Sequence, residues 1–247
     1  MYKEAILSYL TKNNYSKIDL KAVLFDMDGV LFDSMPTHAK AWTKTLQEKG
    51  LTFSEEECYI HEGRTGSDTI NIIFNREFGR NATLEEIESL YKKKSDLFDI
   101  SPKAPVMQGS LELLNKVCKN GLDRIIVTGS GQDALLSKLG HHFPGHFTKS
   151  KMVTAYDVIK GKPDPEPYLQ GLRKAGIKAY NAIVVENAPL GIQASKAAGI
   201  FTIAINTGML ADCYLLDAGA DLLFHGMPAL NEAWPEVYEA FASTEIN

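Results

Sequence analysis

The chain predicts a doubly wound α/β fold, a parallel sheet covered by helices on both faces, with an all-helical segment inserted after the first strand. Three observations carry this reading. Short runs rich in Val and Ile recur, their hydrophobicity is continuous rather than alternating, and helical patterns ending at glycine separate them. Continuous hydrophobicity means that both faces of each strand are covered, which parallel sheets with crossover helices achieve.

The elements follow in order. In MYKEAILSYLTKNNYSK the apolar positions Ile6, Leu7 and Leu10 form one stripe of a short helix that packs on the core. This stretch is too polar for a signal peptide. The first strand is AVLFD from Ala22. From Met35 to Lys103 no strand is evident, only the helical stretches THAKAWTKTLQEKG, SEEECYIHEG, SDTINIIFNREFG and TLEEIESLYKKKSDLF. Ser54 with Glu57 and Thr83 with Glu86 have capping-box spacing, which marks two helix starts. SPKAPVMQG is then a return linker. Beyond it, SLELLNKVCKNG stops at Gly121, QDALLSKLG at Gly140 and PLGIQASKAAG at Gly199, interleaved with the strands DRIIVT, AIVVE, FTIAIN and a weaker DLLF. The expected division is a Rossmann-like core of residues 1–34 and 104–247 and a helical cap of residues 35–103.

Totals narrow the function classes. The 247 residues are 45% hydrophobic and 23% charged, the balance of a globular enzyme. A net charge of −5 offers no electrostatic footprint for nucleic acid. No run approaches the roughly 18 apolar residues of a membrane helix. Cys58, Cys118 and Cys213 are widely spaced, which excludes a C-x-x-C zinc site and a disulfide framework and fits reduced, cytoplasmic thiols.

Ligands of open parallel sheets collect at the carboxyl ends of the strands. There the chain places Asp26 and Asp28 around the turn at Gly29, then Thr128 and Gly129 in VTGSG, Lys162 in GKPDPEPY, and Glu186 with Asn187 after AIVVE. Asp26, Asp28 and Asp33 crowd three carboxylates into eight positions. Two unit charges about 4 Å apart near a protein surface repel by roughly 4 kcal/mol, so the arrangement needs distance, water, protonation or a cation. A hydroxyl and backbone N–H groups at a helix start suit an anion, and Glu186 and Asn187 offer oxygen donors to a hard cation. Asp164 and Pro165 suit the N-cap and first position of the next helix. Singly, each residue reads as a turn former, loop, cap or surface lysine; their joint placement at successive strand ends does not. Asp33 reads as a turn or helix-start residue. HHFPGHF, with His141, His142 and His146, is a loop that buries Phe143 and Phe147 rather than a metal site.

With these motifs in view, the chain resembles the haloacid dehalogenase superfamily of phosphoryl-transfer enzymes, and within it the β-phosphoglucomutase-like branch. FDMDGVLFDS, VTGS, KGKPDPEPY and VVENAPLGI stand for its four motifs, in order and with the cap insertion. The resemblance implies that Asp26 is a nucleophile forming an aspartyl-phosphate and that Asp28 is the general acid and base. Mg²⁺ is implied at Asp26, the Asp28 carbonyl, Glu186 and Asn187, with Thr128, Gly129 and Lys162 holding the transferred oxygens. Members commonly carry Glu-Asp where this chain has Glu186-Asn187, which implies weaker metal binding. His38, Trp42 and Lys94 align with cap residues of the branch. The cap arginine of the mutases falls at Gly66, and the nearest guanidinium is Arg64. The implied activity is a Mg²⁺-dependent phosphatase of a small sugar phosphate. The alternatives are a β-phosphoglucomutase interconverting β-glucose 1-phosphate and glucose 6-phosphate, and a sugar-phosphate-binding module with a weakened metal site. The expected partner is a small phosphorylated metabolite, with neither nucleic acid nor membrane.

Overall fold

In a computed structural model, residues 1–131 and 135–246 are described. Six strands form one parallel sheet: β1 (Ala22–Phe25), β2 (Asp123–Val127), β3 (Met152–Val153), β4 (Ala182–Glu186), β5 (Phe201–Ile205) and β6 (Leu222–Phe224). Their spatial order is β3-β2-β1-β4-β5-β6. Chain order reverses direction between β1 and β4, the switch point at which a crevice opens in such sheets. Phe25 pairs with Ile126 on one side and Val185 on the other. This register brings Asp26, Thr128 and Glu186 to about the same height above the sheet.

β1, β4 and β5 are buried along their whole length, as continuous hydrophobicity requires. One face packs under α1 (Tyr2–Asn13), α6 (Ser110–Lys119) and α11 (Met227–Ser243), whose Ile6, Leu113, Trp234 and Phe241 join Phe25 and Ile203 in the main core. α8 (Glu166–Ala175) and α9 (Pro189–Ala197) cover the other face with Tyr168, Leu172 and Ala194. Ile6 and Leu10 are buried as expected, whereas Leu7 is 39% exposed because it lies off the stripe. β3 escapes sequence reading because two residues at the sheet edge carry no periodicity.

Between β1 and α6 there are four helices and no strand: α2 (Met35–Gln47), α3 (Glu55–Ile60), α4 (Gly66–Phe78) and α5 (Leu84–Asp99). Both expected capping boxes form, at Ser54 with Glu57 and at Thr83 with Glu86. These helices enclose a second apolar cluster containing Trp42, Phe53, Ile70, Ile73 and Leu90. Leu210, from the loop after β5, also enters it.

Two helix ends differ from expectation. α7 (Leu135–His142) runs through Gly140 instead of stopping there, while its expected start at Gln132 lies outside the described residues. α8 begins at Glu166 with Pro165 as N-cap, and the Asp164 carboxylate accepts the Glu166 N–H at 2.9 Å. Among the described residues, no helix is long and apolar enough to cross a membrane.

Candidate active site

Asp26 is the first residue past β1, and its backbone N–H still donates to Val185 O, so its side chain emerges at a fixed point of the crevice. Lys162 Nζ reaches it from the loop before α8, donating to Asp26 Oδ1 at 2.5 Å and to Glu186 Oε1 at 2.5 Å. All three side chains are buried. Burial is the largest influence on Asp26; the Lys162 charge opposes it, and Glu186 and Asp28 add to it, so that its pKa rises to about 7. For Lys162 burial disfavours the charge, yet the two carboxylates outweigh it and hold its pKa well above the ordinary value.

Asp28 stands two residues on, just before Gly29, which takes φ +77° in the turn that follows. Substitution at Gly29 is blocked twice over, since a Cβ there would lie 2.1 Å from Asn187 Nδ2. The Ser34 hydroxyl donates to Asp28 Oδ1 at 2.5 Å and His38 Nε2 lies 3.5 Å from the same oxygen. Burial works against the Asp28 anion, but the hydrogen bonds from His38 and Ser34 and the Lys138 charge outweigh it and hold the carboxyl below the usual range.

His38 Nδ1 lies 2.8 Å from Lys94 Nζ, and the ring stacks on Phe98 at 4.1 Å. Lys94 donates there, so Nδ1 is the acceptor and Nε2 carries the proton towards Asp28. Trp42 and Phe98 place their rings 5.5 and 5.2 Å from the Lys94 ammonium. Burial lowers the Lys94 pKa.

One cavity of about 100 Å³ separates the helical insert from the sheet ends. Asp26, Asp28, Thr128, Gly129, Lys162 and Glu186 line it from below. His38, Trp42, Arg64 and Lys94 line it from above, and the Arg64 Nε is buried there without a hydrogen-bond partner among the described residues. Thr128 Oγ1 accepts the Ser130 N–H at 3.0 Å, and a Cβ on Gly129 would come within 3.1 Å of Gly63 O, so the loop and the insert touch here. Of the residues that the resemblance implies for the site, Asn187 alone does not line the cavity. Asp33 is exposed and bonds Pro105 O through its N–H, in agreement with a structural role.

Two features escaped sequence reasoning. Glu62, from the insert, accepts from the Asn187 Nδ2 amide with both carboxylate oxygens, at 3.0 and 3.1 Å. Burial first, then the Asp26 and Glu186 charges, push the Glu62 pKa well above the ordinary carboxylate value. The only sequence signal was indirect: an amide at position 187, where the resemblance expects a carboxylate. Tyr91 is the second. Its ring fills the space beside Gly66, where a Cβ would meet it at 2.2 Å.

Among the described residues no cluster of three His, Cys, Asp or Glu side chains is assembled as a metal site. A mixed oxygen set is nevertheless present. Asp26 offers a carboxylate, the residue 28 backbone a carbonyl, and Asn187 Oδ1 is buried with no hydrogen-bond partner. Four carboxylates, Asp26, Asp28, Glu62 and Glu186, share one side of the cavity with the single ammonium of Lys162 bonded among them. That excess of negative charge and orphaned carbonyl oxygen fit a hard divalent cation such as Mg²⁺.

The profile of the haloacid dehalogenase-like hydrolases matches residues 23–205. The chain belongs to this family. It is a phosphoryl-transfer enzyme of that family, which generally uses Mg²⁺. Hexitol phosphatase A of Escherichia coli is 30% identical over 208 residues, 84% of this chain and 91% of that one. Beta-phosphoglucomutase of Bacillus subtilis is 26% identical over 226 residues, 88% and 96% of the two chains. A solved structure from Bacteroides vulgatus, provisionally called a beta-phosphoglucomutase, superposes with a TM-score of 0.95 at 55% identity, covering 97% of this chain and 98% of that one.

Proposed function

We propose that the protein is a Mg²⁺-dependent phosphatase of a small phosphorylated metabolite, of the sugar- and polyol-phosphate kind on which its relatives act, working through an aspartyl-phosphate on Asp26. Residues 35–103 act as the cap over a core of residues 1–34 and 104–247. The observation that carries the choice of a small substrate and hydrolysis is the cavity. Its volume of about 100 Å³ lies under the roughly 300 to 1,000 Å³ of ordinary small-molecule pockets, which suits a phosphorylated metabolite no larger than a sugar or polyol phosphate.

Asp26 attacks phosphorus, the bond to the leaving oxygen breaks, and Asp28 supplies the proton that this oxygen takes. A water then attacks the aspartyl-phosphate, Asp28 takes its proton, and Asp26 is restored as phosphate leaves. Lys162, Thr128 and the Gly129 N–H stabilise charge on the transferred oxygens. Asp26, the carbonyl of residue 28 and Asn187 would hold the Mg²⁺, which supplies charge neutralisation between nucleophile and phosphate. His38 and Ser34 hold the Asp28 carboxylate in place and favour its anion, the form that takes the proton of water in the second half-reaction; the proton that Asp28 gives the leaving oxygen in the first is taken up from solvent as the substrate binds. Lys94 and Arg64 face the remainder of the substrate, and Trp42 walls it.

The mutase reading draws support from the His38–Lys94 arrangement and from the Bacillus subtilis and Bacteroides vulgatus relatives. Against it stands Tyr91, which occupies the space that a side chain at position 66 would need. Incubation with β-glucose 1-phosphate and a trace of the bisphosphate separates the two: glucose 6-phosphate identifies a mutase, free phosphate a phosphatase. A phosphate-release panel graded by leaving-group size, from phosphate anhydrides and two-carbon esters to hexose phosphates, with and without Mg²⁺, tests the substrate class. Release is expected on the sugar and polyol phosphates and to need Mg²⁺; turnover confined to the anhydrides and two-carbon esters overturns the sugar-phosphate reading.

A further inference from the structure

Tyr168 on α8 is wholly buried and does not line the cavity. Its hydroxyl nevertheless donates to Glu186 Oε1 at 3.0 Å, the same oxygen that accepts from Lys162 Nζ. The other oxygen, Oε2, accepts the N–H groups of Asn187 and Ala188 at 2.8 and 2.9 Å. Gly191 closes the remaining side, for a Cβ there would lie 1.7 Å from Oε1. A carboxylate has about four lone-pair sites, and protein donors occupy all of them on Glu186. Lys162, in turn, bridges Glu186 and Asp26, touches Val127 O at 3.3 Å, and lies 5.2 Å from the centre of the Tyr168 ring.

We propose that Tyr168 is a positioning residue of the phosphoryl-transfer site, whose hydroxyl locks Glu186 as the anchor of Lys162 and withholds that carboxylate from the metal. The proposal rests on the phosphatase reading above. During transfer, Lys162 must turn an N–H from Asp26 towards the phosphoryl oxygens while keeping its hold on a fixed point. Glu186 is that point only while its rotamer is held, and among the described residues the Tyr168 hydroxyl is the one side-chain donor besides Lys162 itself that holds it. The main-chain donors fix Oε2 alone. Without the hydroxyl, Oε1 is free to follow the ammonium, and the lysine loses its reference position in the transition state more than in the bound ground state.

The test uses the full chain and two variants. Tyr168→Phe removes one oxygen from a buried ring, so it is expected to melt close to the wild type. It is expected to lose about tenfold in kcat, the scale of a hydrogen bond to a charged group, with KM within twofold. Glu186→Gln, followed by the rise in melting temperature on Mg²⁺ addition rather than by activity, is expected to need Mg²⁺ within about threefold of the wild-type concentration. A Tyr168→Phe enzyme with kcat within twofold of the wild type overturns the proposal. So does a Glu186→Gln protein needing tenfold more Mg²⁺, which would make Glu186 a ligand; if that variant does not fold, the Tyr168→Phe kinetics decide alone. Asp26→Asn separates the two levels: intact turnover there sinks the phosphatase reading, whereas lost turnover there with an unaffected Tyr168→Phe sinks only the role of Tyr168.

Discussion

Two buried lysines face each other across the cavity under opposite conditions. Lys162 belongs to the sheet side, lies between two carboxylates at 2.5 Å, and has its pKa raised well above the ordinary value. Lys94 belongs to the insert, is 6% exposed, and has an imidazole and two aromatic rings for neighbours instead of a carboxylate, so that burial lowers its pKa. One ammonium is part of the resting architecture. The other carries a charge whose natural complement is an anion that comes with the substrate. Burying an ammonium without a counter-ion is costly, and retaining it makes sense where a ligand recovers the cost.

Replacing each lysine in turn breaks this contrast most visibly. Lys162→Met strands two buried carboxylates, and a disrupted buried pair costs about 3 to 5 kcal/mol, or roughly 10 °C in melting temperature at this chain length. Phosphate release is expected to fall by at least about 10³-fold, because the transferred oxygens lose their principal cation. Lys94→Met is expected to act the other way on stability, with melting unchanged or raised by roughly 2 °C. Its activity is expected to drop about 10- to 100-fold, chiefly through KM, as befits loss of a contact to the non-reacting part of the substrate. If both variants lower melting equally, the two lysines do not differ as described.

Asn187→Asp sharpens the picture on the acidic side. The amide now donates to both oxygens of Glu62, and a carboxylate in its place removes that donor and sets a second carboxyl group about 3 Å away. The metal-free variant is expected to melt a few degrees lower and to gain more from Mg²⁺ than the wild type, as melts with and without the ion will show. An unchanged response to Mg²⁺ removes Asn187 from the metal's surroundings.

The smallest expected effect is a pH slope. Asp26 moves from an ordinary 3.8 to about 7 on folding, and Glu62 shifts in the same direction. The folded chain therefore retains protons that the unfolded chain releases, and their stabilisation is complete below pH 4 and lost as pH rises through about 7. Melting of the metal-free protein is expected to decline across that window, and Asp26→Asn to flatten the decline.

The sheet and the motif residues were legible because strands buried on both faces leave unbroken Val and Ile runs, and because Asp26, Thr128, Lys162 and Glu186 each sit within a residue or two of such a run or a proline turn. The four-helix insert was legible from Ser54, Glu57, Thr83 and Glu86, whose spacing encodes helix starts locally. Gly140 misled because a glycine inside a helix costs only about 1 kcal/mol relative to alanine, which the packing of Leu139 and Phe143 on either side outweighs. Glu62, Tyr91 and Tyr168 were invisible for a different reason. Their importance lies in partners at positions 187, 66 and 186, and no local spacing encodes a contact that only the closed chain creates. The same holds for Ser34, an ordinary helix-start serine until its hydroxyl is seen 2.5 Å from Asp28.

The loop after β5 touches both halves of the molecule. Thr207 donates to the carbonyl of Gly29 at 2.7 Å, Gly208 backs against the Tyr59 ring, and Leu210 sits within the apolar cluster of the insert. Any parting of the two halves pulls Leu210 out of its apolar socket into water. Opening the cavity thereby carries a hydration cost unrelated to phosphate, set by a leucine remote from the reacting atoms.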